Sequence, residues 1–199
     1  MLRIQTLLNY EVTKIANDIA SMIVEDAEEE NYKNYLVLAI ANGGYELINR
    51  TNNLAVKVRT HPVYIRHKSS KHVSKKSSIL KKLPYFITDN LRRLSLLYNR
   101  ISNNSNRVAT IDNHLIDKIK KANKIYIIDD CYELGHSINM LIEFIESCNS
   151  GIGIKVFVGN KIYNQTPKHD IDITSIYDNC MVRWPWNADY KNIKEIEIV

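Results

Sequence analysis

The chain has 199 residues, of which 45% are hydrophobic and 25% are charged, a composition typical of one globular domain with a full core. Its 27 basic and 22 acidic residues give a formal net charge of +5, which suits a polyanionic ligand such as a polyphosphate or a nucleic acid. No apolar run is long enough to span a membrane, and the polar N-terminus and three scattered cysteines predict a cytoplasmic protein.

The first part of the chain alternates helical and strand patterns. Apolar residues recur at helical spacing over Tyr10–Ala27, and the run YLVLAI at Tyr35–Ile40 is typical of a buried strand. The pair Gly43-Gly44 follows this strand, where glycines let the backbone come close to a ligand. Two short strands are predicted next, at Leu54–Val58 and Pro62–Arg66.

The later part continues the alternation. A helix is predicted within 82–106, with Thr88 or Asp89 as its cap. Its apolar stripe consists of four residues, Leu91, Leu94, Tyr98 and Ile101. A short helix is expected at Asp112–Ala122, and a strand at Gly153–Gly159. Alternating strands and helices predict an α/β fold with a mostly parallel sheet flanked by helices.

The stretch 124–147 organises the chain. A β-branched apolar run of buried-strand type is followed by two adjacent carboxylates, Asp129 and Asp130, then by a short loop with Gly135, and then by a helix. Such a loop points several backbone N–H groups at one spot beside the positive end of a helix dipole, which is where an anion binds. The acid pair suits the hydroxyl groups of a sugar or a hard cation such as Mg²⁺. The stretch therefore predicts a ribose-phosphate site.

Two residues of this loop have predicted backbone roles. Gly135 can adopt a positive φ, which lets a phosphate approach the backbone. Ser137 is the expected cap of the following helix, because its hydroxyl can accept a hydrogen bond from a free backbone N–H.

The same unit resembles the ribose-phosphate motif of the type I phosphoribosyltransferases, a hydrophobic strand followed by two acids and a Gly-containing loop. The resemblance implies a phosphoribosyltransferase-like fold in which Asp129 and Asp130 hold the ribose hydroxyls of phosphoribosyl pyrophosphate (PRPP) and its Mg²⁺. It places the 5′-phosphate in a loop of five residues, Glu133, Leu134, Gly135, His136 and Ser137. Glu133 matches the acid that, in the 6-oxopurine branch, acts as general base or acid at the purine N7.

The glycine pair after the earlier strand resembles the pyrophosphate loop of the same enzymes. The resemblance implies a non-proline cis peptide at Ala41–Asn42, and Asn42 stands where the family often has a basic residue. It assigns pyrophosphate binding to five residues, Asn42, Gly43, Gly44, Ser69 and Lys191.

Two later segments resemble the base-binding parts of the 6-oxopurine branch. Lys161 follows a strand, where the family has a Lys that donates to the exocyclic O6 of the base. The run WPWN resembles a segment found in xanthine- and guanine-using members. The resemblance then places Met181 against the base ring and Val182 and Asn187 at the base edge.

The basic segment 59–82 holds eight Lys or Arg residues and no acid. A solvated basic loop, a lid over the pyrophosphate and a nucleic-acid-binding patch are all consistent with this composition.

The resemblance implies a single domain, 1–199, that joins a purine-type base to PRPP and releases pyrophosphate. It also implies a homo-oligomer, either a dimer or a tetramer. The helical insertion at 82–106 departs from the family, and we expect it to form a small hood or a dimer contact. Two alternatives stay open: a non-catalytic protein of this fold that senses PRPP or a nucleotide, and a nucleic-acid-binding protein that uses the segment 59–82.

Overall fold

The computed structural model describes residues 2–67, 77–102, 107–162 and 171–191. Its strands are β1 Arg3–Thr6, β2 Tyr35–Ala41, β3 Thr60–His67, β4 Arg107–Thr110, β5 Lys124–Tyr132, β6 Gly153–Lys161, β7 Ile173–Asp178 and β8 Cys180–Arg183. Its helices are α1 Asn9–Glu29, α2 Gly43–Ile48, α3 Leu54–Lys57, α4 Ser77–Lys82, α5 Tyr85–Ser102, α6 Asn113–Lys121 and α7 His136–Cys148. No helix in these ranges is long and apolar enough to cross a membrane.

Six strands form the main sheet, in the order β4-β3-β2-β5-β6-β7. Every neighbouring pair is parallel except β3 and β4, which run antiparallel. The predicted α/β fold with a mostly parallel sheet is therefore confirmed. A second, two-stranded parallel sheet pairs β1 with β8.

The two faces of the main sheet are covered by different helices, because alternate residues of each central strand point to opposite sides. On β5, Tyr126 and Ile128 pack in a core with α1 and α2. Ile125 and Ile127 pack in a second core with α6 and α7. A strand buried on both faces explains the uninterrupted apolar run of β5.

The helices α1 and α6 were correctly predicted, whereas the strand predicted at Leu54–Val58 was wrong. Leu54–Lys57 forms the short helix α3, because the Asn53 side chain accepts a hydrogen bond from Val56 N at 3.2 Å and caps its first turn. Only Val56 of this helix is buried. The alternating Val and Leu residues resembled a strand, but they have no partner strand in the described sheet.

Two predicted caps were also wrong. The helix within 82–106 is confirmed as α5, but it begins at Tyr85, and the Pro84 carbonyl accepts from Ile87 N at 3.1 Å. Thr88 and Asp89 therefore lie inside the helix. At α7 the cap is Gly135 rather than Ser137, because a glycine with positive φ is what the chain uses to turn into that helix.

Candidate functional site

The acid pair lies near the end of strand β5, because this strand continues past the predicted apolar run to Tyr132. Asp129 accepts a hydrogen bond from Asp130 N at 2.9 Å, so its carboxylate is fixed relative to the backbone. The indole N–H of Trp186 donates to Asp130 Oδ2 at 2.7 Å. Burial raises the pKa of the Asp130 carboxyl, although the hydrogen bond from Trp186 opposes that rise.

The predicted phosphate loop follows directly. Gly135 has φ 71° and α7 starts at the next residue, so the loop faces the start of a 13-residue helix. The positive φ predicted at Gly135 is confirmed. Tyr132 lies buried beneath the loop, and a Cβ built on Gly135 would be 2.5 Å from the Tyr132 hydroxyl. The space between the loop backbone and Tyr132 therefore admits only a residue without a side chain at position 135.

The glycine pair after β2 lies directly against the acid pair. The Ala41–Asn42 peptide is cis, as predicted. A Cβ built on Gly43 would be 2.1 Å from Asp130 Cγ, so only a glycine allows this approach. Gly44 is buried in α2, and the Asn42 side chain is on the exposed side of the turn. The structure thus brings the two predicted glycine and acid motifs into contact.

A cavity of about 290 Å³ opens beside these motifs. Seven of its lining residues come from β5 and the loop after it, from β8 and from the turn after β8: Asp130, Cys131, Glu133, Met181, Val182, Trp184 and Asn187. Five of these seven are predicted site residues. Cys131 and Trp184 are not, and Trp184 is buried and stacks on Trp186 with ring centroids 5.1 Å apart. Met181 and Trp184 give the cavity an apolar lining, which suits a planar ring.

Helix α5 forms the opposite wall of this cavity, through Arg92, Ser95 and Leu96. One turn further, Asn99 Nδ2 donates to Glu133 Oε1 at 3.1 Å. The insertion at 82–106 therefore forms a hood over the predicted base site. A hood is one of the two roles that the sequence predicts for it. No feature of the family resemblance pointed to these α5 residues, because the resemblance does not cover this segment.

A set of buried ion pairs fixes the hood to the turn after β8. Arg92 Nε donates to Asp189 Oδ2 at 2.7 Å, and Arg92 Nη2 also pairs with the Asp189 carboxylate. Arg183 Nε donates to Asp189 Oδ2 at 3.0 Å, and Arg183 pairs with Asp89 on α5 as well. Sequence reasoning missed these residues. An Arg inside the apolar run CMVRW was the available signal, but nothing in the sequence identified its partners.

Replacing Asp189 by Asn should lower the free energy of unfolding by about 3 kcal/mol at neutral pH, because two guanidinium groups lose their buried counter-charge. Burial acts to raise the Asp189 pKa, but the hydrogen bonds and charges of Arg92 and Arg183 hold it below the usual value. Because the Asp189 pKa is lower in the folded than in the unfolded protein, the ionised carboxyl stabilises the fold. This stabilisation is complete above about pH 3.9, the pKa in the unfolded chain, and disappears as the pH falls through the folded pKa.

Urea denaturation of both proteins at a series of pH values measures this difference. The difference in free energy of unfolding between wild type and Asp189→Asn should be constant at neutral pH and should become smaller below about pH 3.9. Asp117→Asn, on the exposed side of α6, is the matched control. No difference in free energy of unfolding at neutral pH, or a difference that grows in acid, would contradict the stabilising role of the Asp189 ion pairs.

The other predicted site residues either do not line the cavity or lie outside the described residues. Lys161 is the last residue of β6, in register with Tyr132 and Asp178, and its neighbour Ile162 lines the cavity. Lys191 lies against Tyr85 of α5, where its backbone N donates to the Tyr85 hydroxyl at 3.2 Å. Ser69 lies outside the described residues, as does the whole stretch 68–76 of the basic segment 59–82.

The side chains at the edge of the cavity have a defined donor and acceptor pattern. Asn187 Oδ1 accepts from Trp184 N at 2.8 Å and from Arg92 Nη2 at 3.0 Å. Two N–H donors on one atom require the amide oxygen there, so the Asn187 Nδ2 group is the one turned to other partners. Arg92 Nη1 donates to the Val182 carbonyl at 3.3 Å. Asn187 and Arg92, which both line the cavity, therefore have N–H groups beyond those used in these bonds.

The acid pair was also the predicted metal site. Among the described residues, no group of three or more His, Cys, Asp or Glu side chains is arranged to hold a metal ion. Two carboxylates suit Mg²⁺ when substrate phosphates and waters complete its coordination. The donor set of Asp129 and Asp130 therefore fits a cation that arrives with a polyphosphate.

No family model matches this sequence, and no curated protein matches it. Three solved structures share its fold at low sequence identity. A purine phosphoribosyltransferase from Pyrococcus horikoshii Ot3 is 13% identical, with a TM-score of 0.55 over 92% of this chain and 93% of that chain. A hypothetical protein from Neisseria gonorrhoeae with bound ppGpp is 11% identical, with a TM-score of 0.58 over 99% and 95%. The xanthine-guanine-hypoxanthine phosphoribosyltransferase of Helicobacter pylori is 10% identical, with a TM-score of 0.52 over 98% and 99%.

Proposed function

We propose that this protein, which has the phosphoribosyltransferase fold, joins a purine-type base to PRPP to give a nucleoside monophosphate and pyrophosphate. One observation carries the proposal: a single cavity brings Glu133 and Asp130 together with Met181, Val182 and Asn187. These residues come from segments about 50 positions apart, and the family resemblance assigns each of them to the ribose, the 5′-phosphate or the base.

The chain's own residues divide the work. The loop Glu133–Ser137 binds the 5′-phosphate at the start of α7, and Asp129 and Asp130 bind the ribose hydroxyls. The base lies in the cavity against Met181, with Val182 and Asn187 at its edge. Glu133 lines the same cavity and exchanges a proton with the base N7 as the bond at N9 forms. The hood formed by α5 excludes water from this space.

Mg²⁺ would be held by Asp129 and Asp130 and would neutralise charge on the pyrophosphate leaving group. Cys131 lines the cavity beside this pair, and burial together with the nearby carboxylates raises the pKa of its thiol. Cys131 therefore contributes an uncharged wall and not a nucleophile.

The donor pattern at the cavity edge favours a base that presents an oxygen there. Asn187 offers its Nδ2 group, and Arg92 has one further Nη1 hydrogen beyond the bond to the Val182 carbonyl. An exocyclic amino group at this edge would meet donors and leave buried N–H groups unpaired, which costs binding free energy. We expect xanthine to be used in preference to guanine.

The deciding experiment incubates the protein with PRPP, Mg²⁺ and each of hypoxanthine, guanine, xanthine and adenine, and measures pyrophosphate release and nucleotide formation. Turnover of at least one purine, lost in Asp130→Asn, is the expected result. A preference for guanine over xanthine would contradict the assigned edge pattern while leaving the reaction itself intact. The absence of turnover with every base would contradict the proposed reaction.

A second candidate is a protein that binds PRPP or a nucleotide without converting it. Two observations favour it: Asn42 supplies no cation in the pyrophosphate loop, and Trp186 already occupies Asp130 Oδ2 at 2.7 Å. The Neisseria protein of this fold carries bound ppGpp, a nucleotide with two pyrophosphate groups. Isothermal titration with PRPP, GMP and ppGpp, beside the turnover assay, separates the candidates, because binding without product supports this second one.

A further inference from the structure

Helix α5 has its polar face turned inward and its apolar face turned to solvent. The inward side carries Thr88, Arg92 and Leu96, of which the first two are polar and hydrogen-bonded. Six large apolar side chains on the other side are between 44% and 82% exposed, and we call them the α5 outer stripe: Phe86, Leu91, Leu94, Leu97, Tyr98 and Ile101. Monomeric proteins rarely expose a contiguous apolar patch of more than a few hundred Å².

We propose that the α5 outer stripe is the contact between two copies of this chain, paired antiparallel about a two-fold axis at Leu94. This inference does not depend on the proposed reaction.

The arrangement of the stripe is self-complementary, as an isologous contact requires. In an antiparallel pair centred on Leu94, Leu94 meets Leu94 of the second copy, and Leu91 faces Leu97 of that copy. Phe86 then lies next to Ile101 of the second copy. Leu91 and Leu97 lie three residues on either side of the centre, and Phe86 and Ile101 lie eight and seven residues from it, so each of these contacts is made twice. Tyr98 faces Asn90 of the second copy. The dipoles of the two helices also run in opposite directions, which is favourable.

The size of the stripe fits such a contact. Six side chains of this kind each expose on the order of 100 Å² or more, and their sum with a polar rim approaches the roughly 800 Å² per partner of a stable interface. An 18-residue helix is also long enough, at about 27 Å, to span it.

The charges of α5 favour a protein partner over a lipid surface. A helix that lies on a membrane presents Lys and Arg side chains to the headgroups beside its apolar face. Arg92 is instead paired with Asp189, and Arg93 Nη2 donates to the Leu2 carbonyl at 3.3 Å. Asn90 and Ser95 beside the stripe are uncharged, whereas Arg100 is charged and exposed. In the antiparallel pair each Arg100 lies six residues from the centre, about 18 Å along the helix from Arg100 of the second copy, so like charges do not meet.

Analytical ultracentrifugation over a wide concentration range tests the proposal. Wild type should sediment as a dimer. Leu94→Glu places two carboxylates opposite each other at the two-fold axis and should weaken the dimer by about 30-fold or more, as expected for a central interface residue. Leu54→Glu is the matched control, because Leu54 is an exposed leucine on α3, at 73% against 62% for Leu94. Circular dichroism of each variant confirms that it is folded.

A cross-link provides the second measurement. Leu94→Cys should form an intermolecular disulfide under mild oxidation, because the same residue meets itself at the axis, whereas Leu54→Cys and wild type should stay uncross-linked. A wild-type monomer at every concentration would overturn the proposal, since it would mean that the stripe is covered within one chain or not at all. A dimer unaffected by Leu94→Glu would overturn it too. Co-sedimentation of a monomer with anionic phosphatidylserine vesicles, lost in Leu94→Glu, would replace it with a membrane contact.

Discussion

Replacing Glu133 by Gln should lower turnover by at least about 100-fold and leave PRPP affinity nearly unchanged. The glutamine keeps the size of the side chain and a hydrogen-bonding oxygen for Asn99 Nδ2, which lies 3.1 Å from Glu133 Oε1. It removes the group that takes or gives the proton at N7. Since Glu133 lines the cavity and not only the phosphate loop, the loss should fall on the chemical step. Initial rates and isothermal titration with PRPP measure the two effects separately.

Two controls make this result interpretable. Glu146→Gln changes an exposed glutamate of α7 in the same way and should leave both properties unchanged. Asp130→Asn should weaken PRPP binding as well as turnover, because Asp130 is assigned to the ribose and the Mg²⁺. If a purine is converted and Glu133→Gln keeps wild-type turnover, the proton-transfer role is wrong even though the fold and the cavity stand.

Replacing Gly135 by Val should abolish binding of PRPP and of nucleotides. Gly135 has φ 71°, which a β-branched residue adopts only at a high cost, and its Cβ would be 2.5 Å from the buried Tyr132 hydroxyl. The loop would have to move away from the start of α7, so its N–H groups would no longer converge on the phosphate. Isothermal titration with PRPP and GMP provides the measurement.

Gly151→Val is the matched control for this substitution. Gly151 also has a positive φ, of 82°, but a Cβ there would meet nothing within 4 Å. It therefore imposes a similar backbone cost without the clash and away from the loop. We expect Gly151→Val to lose stability and to bind PRPP normally. Equal loss of binding in both variants would mean that the effect at Gly135 is global unfolding, and unchanged affinity in Gly135→Val would place the phosphate elsewhere.

The parts of this molecule that follow local rules were predictable from the sequence. The buried run of β5, the positive φ of Gly135 and the contact of two motifs at one edge of the sheet depend on residues that are close in sequence or at the ends of neighbouring strands. Helix α3 was predicted as a strand because Leu54, Val56 and Val58 alternate with other residues. Its cap, Asn53, outweighs their strand propensity.

The packing of the hood against the rest of the molecule could not be predicted in the same way. Periodicity located α5 and its apolar stripe, but periodicity does not say which face is buried, and burial of the apolar face was the natural expectation. Here the opposite face is held by Asp89, Arg92 and their partners Arg183 and Asp189. Pairs separated by more than 90 positions carry no signal in a single sequence. For the same reason, the hydrogen bonds of Asn99 and of Arg92 at the cavity could not be foreseen.

The pairing of β1 with β8 has a consequence for how this protein folds. Two residues of the cavity floor, Met181 and Val182, are in register with Ile4 and Gln5, and Arg183 Nη1 donates to the Thr6 hydroxyl across 177 positions of chain. Closing so long a loop costs conformational entropy before any contact offsets it, and non-local strand pairing is correspondingly slow. The central strands β2 and β5 close a shorter loop, because Tyr35 pairs with Lys124. The floor of the ligand cavity therefore forms only when the two ends of the described part of the chain have come together.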